Sequence, residues 1–346
     1  MKLFLTTILT SMNVLIGCQG LENSGINAEG VSEKKKNKVA IGLGVLGTNP
    51  QKPENGACED DLRLGTSWYY NWKSRTSKCA EGHDLTAEFV PMIWSKAHLD
   101  KETGKISDKT RDHANNAGYL LGFNEPDGSG QADMSVDEAI ESWPGLYQEE
   151  GDRYLLGSPA PKRNGSLPKS NEYQAIKQII QHDWSNPDLP KPEIVKSKKW
   201  LPQFMARAAV QGLKIDFMAL HYYYYCEGSG DKKHPYRSAK SKKDLDQWLR
   251  KVSDLYQRPI WITEFSCLSA STEANVAFLR DAMEVIEQHN AKEEHATTQV
   301  ERVAWFSNRK SKFGAYYKNT HLVDYNYSTG EIKLTPVGEE YRTYSQ

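Results

Sequence analysis

The chain has 346 residues, of which 44 are basic and 45 are acidic, so its formal net charge is −1. This balance does not favour nucleic acid as a partner, and it gives no reason to expect an acidic substrate; a neutral partner such as a polysaccharide fits. The length suits one α/β barrel of about 250 residues with added loops, and we expect a monomer.

The first 38 residues predict export rather than a folded element. Lys2, a short apolar stretch and the sequence Leu15-Ile-Gly-Cys18 are typical of a signal peptide over residues 1–17 that is too short to span a membrane. The ending resembles the bacterial lipobox, which implies a lipid on Cys18 as the sole link to a membrane. Residues 18–38 predict a flexible tether. We expect an exported bacterial lipoprotein at the outer membrane or cell surface; the alternative is an ordinary secreted protein.

Four further cysteines follow the predicted tether. An exported protein can oxidise them, so we propose the pairs Cys58 with Cys79 and Cys226 with Cys267. Four cysteines allow three connectivities, and the other two stay open.

From residue 39 onward, short apolar runs alternate with segments of helical period, which predicts repeated βα units. Eight runs predict strands: Val39–Gly44, Gly65–Asn71, Phe89–Trp94, Tyr119–Asn124, Tyr154–Ser158, Ile215–His221, Pro259–Glu264 and Arg302–Phe306. The clearest helical segments are Ser135–Glu149, Trp200–Gln211, Lys242–Tyr256 and Glu273–His289. The pattern predicts an α/β fold, a single (β/α)8 TIM barrel over residues 39–346.

One stretch is long for a connection in such a barrel. Residues 161–199 are rich in Pro, Lys, Asn and Ser and contain one helical patch at Tyr173–His182. We interpret them as an insertion after strand 5 on the catalytic face, where they would add to a cleft wall. Past the eighth strand, residues 322–341 predict a hairpin and a closing helix.

Two glutamates stand at the ends of apolar runs, Glu125 in the fourth unit and Glu264 in the seventh. Because strand C-termini share one face of a (β/α)8 barrel, the two carboxyl groups should converge there. Such a pair can cleave a glycosidic bond, since one carboxyl protonates the leaving oxygen while the other faces the oxocarbenium-like centre. Many strand-end glutamates are only salt-bridged surface residues, but each of these is the first acidic group of its strand, where unpaired burial would be costly.

Polar and aromatic residues beside these strand ends predict a sugar-binding site. Asn124 could hydrogen-bond a sugar hydroxyl, although Asn before a Pro-containing loop is also a common turn residue. His221 could orient one carboxyl group and shift its pKa. The other candidates for substrate binding are Asn71, Trp72, Trp94, Tyr222, Tyr223 and Trp305. Trp68 and Trp261 lie inside strands and are assigned to packing.

The sequence contains no motif typical of other enzyme classes. Ser158 and Ser266 lack a Gly-x-Ser-x-Gly elbow, and the sequence contains no P-loop, GxGxxG or HExxH pattern. No spacing of Cys and His suggests zinc. We therefore expect neither a metal nor an organic cofactor.

Taken together, the motifs resemble glycoside hydrolase family 128, in order from residue 40 to the C-terminus. The segments that carry the resemblance are Gly65–Trp72, Val90–Trp94, Leu121–Asp127, Gly157–Ala160, Trp200–Phe204, Ile215–Tyr223, Pro259–Phe265 and Val303–Phe306. Asn-Glu-Pro alone would suggest only the broader clan of retaining barrel hydrolases.

This resemblance implies a barrel that cleaves β-1,3-glucan, as a polysaccharide or oligosaccharide, with retention of configuration. Glu125 would be the acid/base and Glu264 the nucleophile, so Glu125 would need a raised pKa while Glu264 stays ionised. We expect endo action, although the long stretch at 161–199 leaves the endo or exo mode open. Two alternatives also stay open: a hydrolase of another β-glycan, such as β-1,4-mannan or mixed-linkage glucan, and a non-catalytic glycan-binding surface lipoprotein.

Overall fold

The structure is a computed structural model that describes residues 39–44, 64–76, 87–147, 152–162, 165–226, 236–268, 271–310, 317, 319–326, 328–329 and 331–345. The predicted signal peptide and tether, with Cys18, and the predicted pair of Cys58 and Cys79 lie outside the described residues. Within the described ranges, no helix combines the length and the apolar character needed to cross a bilayer.

Eight parallel strands form the scaffold. They are β1 (Ala40–Gly44), β2 (Trp68–Tyr70), β3 (Glu88–Phe89), β4 (Tyr119–Leu120), β5 (Leu155–Leu156), β6 (Met218–Tyr225), β7 (Ile260–Leu268) and β8 (Val300–Trp305). One sheet has the order β3-β2-β1-β8-β7-β6, and β4 pairs with β5. Single parallel bridges, Met92 with Leu121 and Gly157 with Phe217, connect β3 to β4 and β5 to β6. Every strand thus has a parallel neighbour on each side, and the predicted barrel class is confirmed.

Helices fill the connections and the C-terminus. They are α1 (Asp108–Ala117), α2 (Val136–Ser142), α3 (Tyr173–Gln181), α4 (Trp200–Gln211), α5 (Ser238–Tyr256), α6 (Thr272–Asn290) and α7 (Pro336–Ser345). Short 3-10 turns occupy Lys96–His98, Trp143–Leu146 and Glu293–His295. Antiparallel strands β9 (Val323–Tyr325) and β10 (Ile332–Leu334) precede α7, as the hairpin and closing helix predicted.

Local sequence signals set several of these boundaries. Ser135 and Glu138 form a capping box that starts α2, because each side chain satisfies a backbone N–H of the first turn. Ser107 caps α1, and Gly118 ends it in the left-handed conformation that glycine tolerates. The chain then enters β4 directly, which places the loop that bears Glu125 at the far end of that strand.

The insertion after strand 5 lies differently from the prediction. Its helix α3 packs beside α4 and α5, and Tyr173 donates to the carbonyl of Lys251 at 2.8 Å while Gln181 donates to that of Leu255 at 3.1 Å. Both carbonyls are at the end of α5 that leads into β7, which is the end of the barrel away from the strand C-termini. The predicted cleft wall is therefore wrong for α3. Of the described residues in 161–199, only Lys162 lines the cavity described below.

Two separate apolar cores support the barrel. One lies between the strands and the outer helices, and the other fills the lumen. The residues of the lumen are Trp68, Tyr70, Val90, Met92, Leu121, Ala160, Phe217, Ala219, Trp261 and Ala304. A barrel of eight strands has an interior just wide enough for side chains to fill. These lumen side chains therefore fill it, and the described residues leave no open pore through the barrel.

A β-bulge in β7 aims one catalytic candidate into the lumen. Leu220 pairs with Ile262 but His221 pairs with Glu264, so Thr263 has no residue opposite it on β6. In a regular strand, Trp261 and Glu264 would face opposite sides because their separation is odd. The extra residue turns the strand locally, and both side chains face inward.

Candidate active site

The two predicted acidic residues meet at the C-terminal end of the lumen. Glu125 follows β4 with a positive φ of 44°, and its N–H donates to the carbonyl of Ala160 at 2.7 Å. Glu264 projects from β7 just after its bulge. Glu125 is 8% exposed and Glu264 is 5% exposed, so both carboxyl groups are largely withdrawn from water. A non-glycine residue with positive φ is uncommon and often marks a functional site.

His221 joins the two carboxyl groups from β6. Its Nδ1 lies 3.1 Å from Oε1 of Glu125, and its Nε2 lies 3.6 Å from Oε1 of Glu264. Ligating atoms of the three residues all lie within 4.8 Å of one another. The carboxyl groups of Glu125 and Glu264 therefore face each other, with one oxygen atom of each group no more than 4.8 Å from the other.

Hydrogen-bond donors converge on Glu264. Trp72 donates from Nε1 to Oε1 at 2.9 Å. The hydroxyl of Tyr70 lies 3.3 Å from the same oxygen and 2.8 Å from the carbonyl of Thr263, so these two acceptors share its one proton. Tyr223 donates to Oε2. Glu125, His221 and Glu264 could together ligate a metal ion, but a cation would compete with these donors for the lone pairs of Glu264. The donors around Glu264 therefore fit a carboxylate that reacts with an organic substrate better than one that ligates a metal ion.

Burial and the imidazole set the pKa values of the site. Burial would raise the pKa of Glu125, but the hydrogen bond and charge of His221, with the charge of Lys162, bring it below its ordinary value. Burial raises the pKa of Glu264, against the effect of His221 and the donors. Burial alone would lower the pKa of His221, yet the charge of Glu264 and the contact with Glu125 raise it. The pKa of Glu125 is thus lowered and that of Glu264 raised, which is the reverse of the shifts expected for an acid at Glu125 and an ionised nucleophile at Glu264.

These groups open into a cavity of about 860 Å³. This volume falls in the range of small-molecule and oligosaccharide sites. Its lining is mostly aromatic and polar: Trp72, Trp94, Asn124, Glu125, Gly130, Gln131, Lys162, Tyr223, Tyr225, Glu264, Leu268, Phe306 and Tyr317. Within this lining, Oδ1 of Asn124 is buried without a hydrogen-bond partner, which leaves an amide oxygen for a bound hydroxyl group.

The structure brings six predicted residues to the cavity and His221 directly behind it. The six are Trp72, Trp94, Asn124, Glu125, Tyr223 and Glu264. It also joins Cys226 to Cys267, as the sequence analysis proposed, with Cα atoms 5.6 Å apart. This disulfide links the ends of β6 and β7 just beyond Tyr223 and Glu264.

Three predicted substrate-binding residues lie elsewhere. Tyr222 packs against Trp248 of α5, with ring centroids 4.9 Å apart, because alternate residues of β6 face the helices. Trp305 is fully buried and donates to the carbonyl of Thr320 at 2.6 Å. Asn71 accepts a hydrogen bond from the N–H of Lys73 and so stabilises its own turn. These three positions are corrected to structural roles.

Sequence reasoning also missed cavity residues that simple alternation could have found. Tyr225 lies two residues after Tyr223 on the inward face of β6, and Phe306 lies one residue after the outward-facing Trp305. No sequence signal placed Gln131, Lys162 or Tyr317 at the cavity, since each comes from a loop or a short turn.

The family model described as glycosyl hydrolase catalytic core matches residues 47–341. Alkali-sensitive linkage protein 1 of Schizosaccharomyces pombe is 23% identical over 296 residues, which cover 83% of this chain and 42% of that protein. The chain therefore spans less than half the length of this curated relative.

Solved structures of glycoside hydrolase family 128 share the fold. A subgroup I endo-β-1,3-glucanase from Amycolatopsis mediterranei, solved with laminaritriose, is 24% identical with a TM-score of 0.58, covering 88% of this chain and 99% of its own. A subgroup II endo-β-1,3-glucanase from Sorangium cellulosum has 24% identity, a TM-score of 0.52 and coverage of 88% and 98%. A subgroup III curdlan-specific exo-β-1,3-glucanase from Blastomyces gilchristii has the same identity and TM-score, with coverage of 88% and 97%. The chain belongs to the glycosyl hydrolase catalytic core family, and the resemblance of its motifs to family 128 is confirmed.

Proposed function

We propose that this chain hydrolyses β-1,3-glucan at internal linkages with retention of configuration, with Glu125 as acid/base and Glu264 as nucleophile. The observation that carries the proposal is the approach of the two glutamates, whose ligating atoms lie within 4.8 Å of each other. Retaining enzymes hold their carboxyl groups about 5–5.5 Å apart, whereas inverting enzymes need about 6.5–9.5 Å to admit a water molecule. The limit of 4.8 Å joins one oxygen of each carboxyl group, so it describes their near approach, and an approach this close supports direct attack by a carboxylate.

The reaction then proceeds in two balanced steps. Protonated Glu125 gives its proton to the glycosidic oxygen as that bond to the anomeric carbon breaks, and a carboxylate oxygen of Glu264 bonds to the anomeric carbon. Ionised Glu125 next takes a proton from water, whose oxygen displaces Glu264 from the anomeric carbon. Both carboxyl groups return to their starting charges, and two inversions leave the configuration unchanged.

His221 gives Glu125 a source for its proton. Its Nδ1 faces Oε1 of Glu125 at 3.1 Å, and its neighbours favour the protonated imidazole. A sugar in the cavity would replace the water around Glu125, and this added burial favours the neutral carboxyl group. We therefore place the proton on His221 before the substrate binds and on Glu125 once a sugar fills the cavity.

The substrate class follows from the lining and from the relatives. A cavity with Trp, Tyr and Phe rings offers flat surfaces to sugar rings, and the free oxygen of Asn124 suits a hydroxyl group. Relatives of similar fold bind laminari-oligosaccharides. Endo action is proposed by analogy with the endo-β-1,3-glucanases of subgroups I and II, whose TM-scores are 0.58 and 0.52; the subgroup III exo enzyme matches equally well at 0.52, so the product sizes decide between the two modes.

A polysaccharide panel with sizing of the products tests this function. We expect release of short oligosaccharides from linear β-1,3-glucan and no release from β-1,4-mannan. Glu264→Gln should abolish release while leaving glucan binding, and Glu141→Gln, on an exposed position of α2, should behave as the wild type. Release from mannan or mixed-linkage glucan instead would contradict the substrate, and turnover by a folded Glu264→Gln variant would contradict the nucleophile.

We also propose that residues 1–17 are a signal peptide, that Cys18 carries the lipid, and that residues 18–38 tether a catalytic domain over 39–346. The support is the charged start, the apolar core and the Leu-Ile-Gly-Cys ending of the sequence. Expression in a bacterium with labelled fatty acid should label the wild type and leave Cys18→Ala unlabelled. Equal labelling of both proteins would contradict lipidation at Cys18.

A further inference from the structure

Trp72 makes a contact that its neighbours in the cavity do not make. It follows β2, is half-buried, and donates from Nε1 to Oε1 of Glu264 at 2.9 Å. Trp94 lines the same cavity, but among the described residues its ring contact is with His98, at 6.0 Å between centroids, and no contact with either carboxyl group is found. The two tryptophans thus line the same cavity, but of the two only Trp72 has a described contact with Glu264.

The backbone at Trp72 is held in an unusual conformation. Its φ is 56°, in the left-handed region that non-glycine residues rarely adopt. Glu125, across the cavity, has a φ of 44°. Strained backbone persists where the surrounding structure over-determines it, and it clusters at functional sites. At Trp72 the conformation carries the indole from the strand end toward the carboxylate on β7.

Packing fixes the indole in its place. Its ring lies 5.0 Å from that of Tyr70 and 5.9 Å from that of Phe306. Gly44, at the end of β1, has no side chain because the ring fills that space: a Cβ there would be 2.9 Å from Cη2 of Trp72. A donor whose orientation is fixed before the substrate binds costs no reorganisation during the reaction.

The donors on Glu264 are divided between its two oxygens. Oε1 accepts from Trp72, just after β2, and faces His221, whereas Oε2 accepts from Tyr223 on β6. The hydroxyl of Tyr70 is a more distant neighbour of Oε1, at 3.3 Å. Donors from two sides fix the rotation of the carboxylate about its last bond. Hydrogen bonds to an ionised carboxylate also favour that charged form, which the nucleophilic step requires.

We infer that Trp72 is a positioning residue, which orients the carboxylate of Glu264 and keeps it ionised while its ring forms part of the sugar-binding wall. The inference rests on the proposed function, because Trp72 acts through Glu264. Gly44 contributes to this arrangement, because the absence of a side chain there leaves room for the indole ring of Trp72.

The test compares Trp72→Phe with the matched variant Trp94→Phe on β-1,3-glucan across pH. Trp72→Phe keeps an aromatic wall but loses the N–H, so kcat should fall roughly 10- to 100-fold with little change in KM. The acid limb of kcat/KM should move up by about one pH unit, because loss of a donor raises the pKa of Glu264. Trp94→Phe should raise KM and leave the acid limb in place.

Gly44→Ala provides a second variant that retains the indole. Its Cβ displaces the ring, so it should reproduce the upward shift of the acid limb with a smaller loss of kcat. Thermal unfolding of each variant shows whether it folds. If Trp72→Phe and Trp94→Phe share the wild-type acid limb while Glu264→Gln is inactive, Trp72 has no positioning role and the proposed function stands. If Glu264→Gln is active, the proposed function itself fails.

Discussion

The two ends of the barrel lumen use the same residue types for different purposes. At the N-terminal end, Trp261 packs against Phe217 at 4.2 Å and Trp68 at 5.3 Å between ring centroids. The guanidinium of Arg302 lies 4.4 Å from the ring of Trp261 and pairs with Glu88 at 3.0 Å. This end is closed, and the guanidinium of Arg302 is held there by aromatic rings and a carboxylate.

At the C-terminal end, aromatic rings instead surround open space. Trp72, Tyr223 and Phe306 border the cavity of about 860 Å³ and leave two carboxyl groups facing it. Oδ1 of Asn124 has no partner there. Aromatic content alone therefore does not locate a sugar site in this barrel, since both ends are rich in rings; the free amide oxygen and the two facing acids distinguish the open end. Changes at the closed end should therefore alter stability, and changes at the open end should alter rate.

Among changes that keep both glutamates, His221→Gln should have the largest effect. Loss of the imidazole that contacts both carboxyl groups should lower kcat/KM roughly 100- to 1,000-fold. His221 holds the pKa of Glu125 down. Its removal raises that pKa, so Glu125 stays protonated to higher pH and the basic limb of the rate profile moves upward. His98→Gln, outside the cavity lining, is the control, and a variant with the wild-type basic limb would contradict this role.

Gly42→Ala should have the largest effect at the closed end. A Cβ on Gly42 would lie 2.4 Å from the indole of Trp68, which is fully buried and has no room to move. Overpacking of this kind costs about 1–3 kcal/mol of unfolding free energy. Denaturant unfolding should show the loss while kcat of the folded protein stays near the wild-type value. Gly44→Ala, two residues further along, should instead lower kcat with a smaller loss of unfolding free energy. Equal losses of unfolding free energy at both positions would show that the two ends do not differ in this way.

Arg302→Met should produce a smaller loss at the same end. The variant keeps the aliphatic length but loses the contacts with Trp261 and Tyr119, at 4.4 and 4.5 Å, and the pair with Glu88. We expect a loss of about 1–2 kcal/mol, since the side chain is only 12% exposed. Arg302→Lys should recover part of it. A rate defect without a stability defect would show that the closed end is not purely structural.

Low pH should reduce the stability of the scaffold through a histidine that lies outside the candidate active site. His289 is buried at the end of α6 and stacks on His295 at 3.9 Å between centroids. Burial, with the neighbouring His295, lowers the pKa of His289 to about 4. The unfolded chain binds the proton near pH 6.5, so stability is full above that pH and falls as the pH drops toward 4. His289→Gln should flatten this slope in unfolding measurements; a wild-type slope in the variant would assign the effect to other groups.

The sequence predicted the barrel because its pattern repeats. Apolar runs and helical segments alternate along most of the chain, and parallel strands place their C-termini on one face. This rule was enough to bring Glu125 and Glu264 to the same cavity. The pairing of Cys226 with Cys267 followed from the same reasoning, since both lie just past neighbouring strands.

Features that depart from the regular inward and outward alternation of strand side chains could not be predicted from the sequence pattern. The bulge at Thr263 shifts the parity of β7, so the inward direction of Glu264 could not be read from Trp261. Trp305 faces outward and Phe306 faces the cavity, a one-residue difference that a strand-end rule does not resolve. The fold of residues 161–199 depended on contacts of α3 with α5, which no local pattern encodes. The opposed pKa shifts of the two glutamates depended on the placement of His221.

Trapping of the covalent intermediate would identify the nucleophile itself. A laminaribiosyl fluoride with fluorine at C2 forms the glycosyl-enzyme but slows its hydrolysis, so the adduct accumulates and can be located by peptide mass spectrometry. We expect one sugar adduct on the peptide that contains Glu264 and none in Glu264→Gln. An adduct on Glu125, or turnover that gives the inverted anomer with no adduct, would show that Glu264 is not the nucleophile of a retaining reaction.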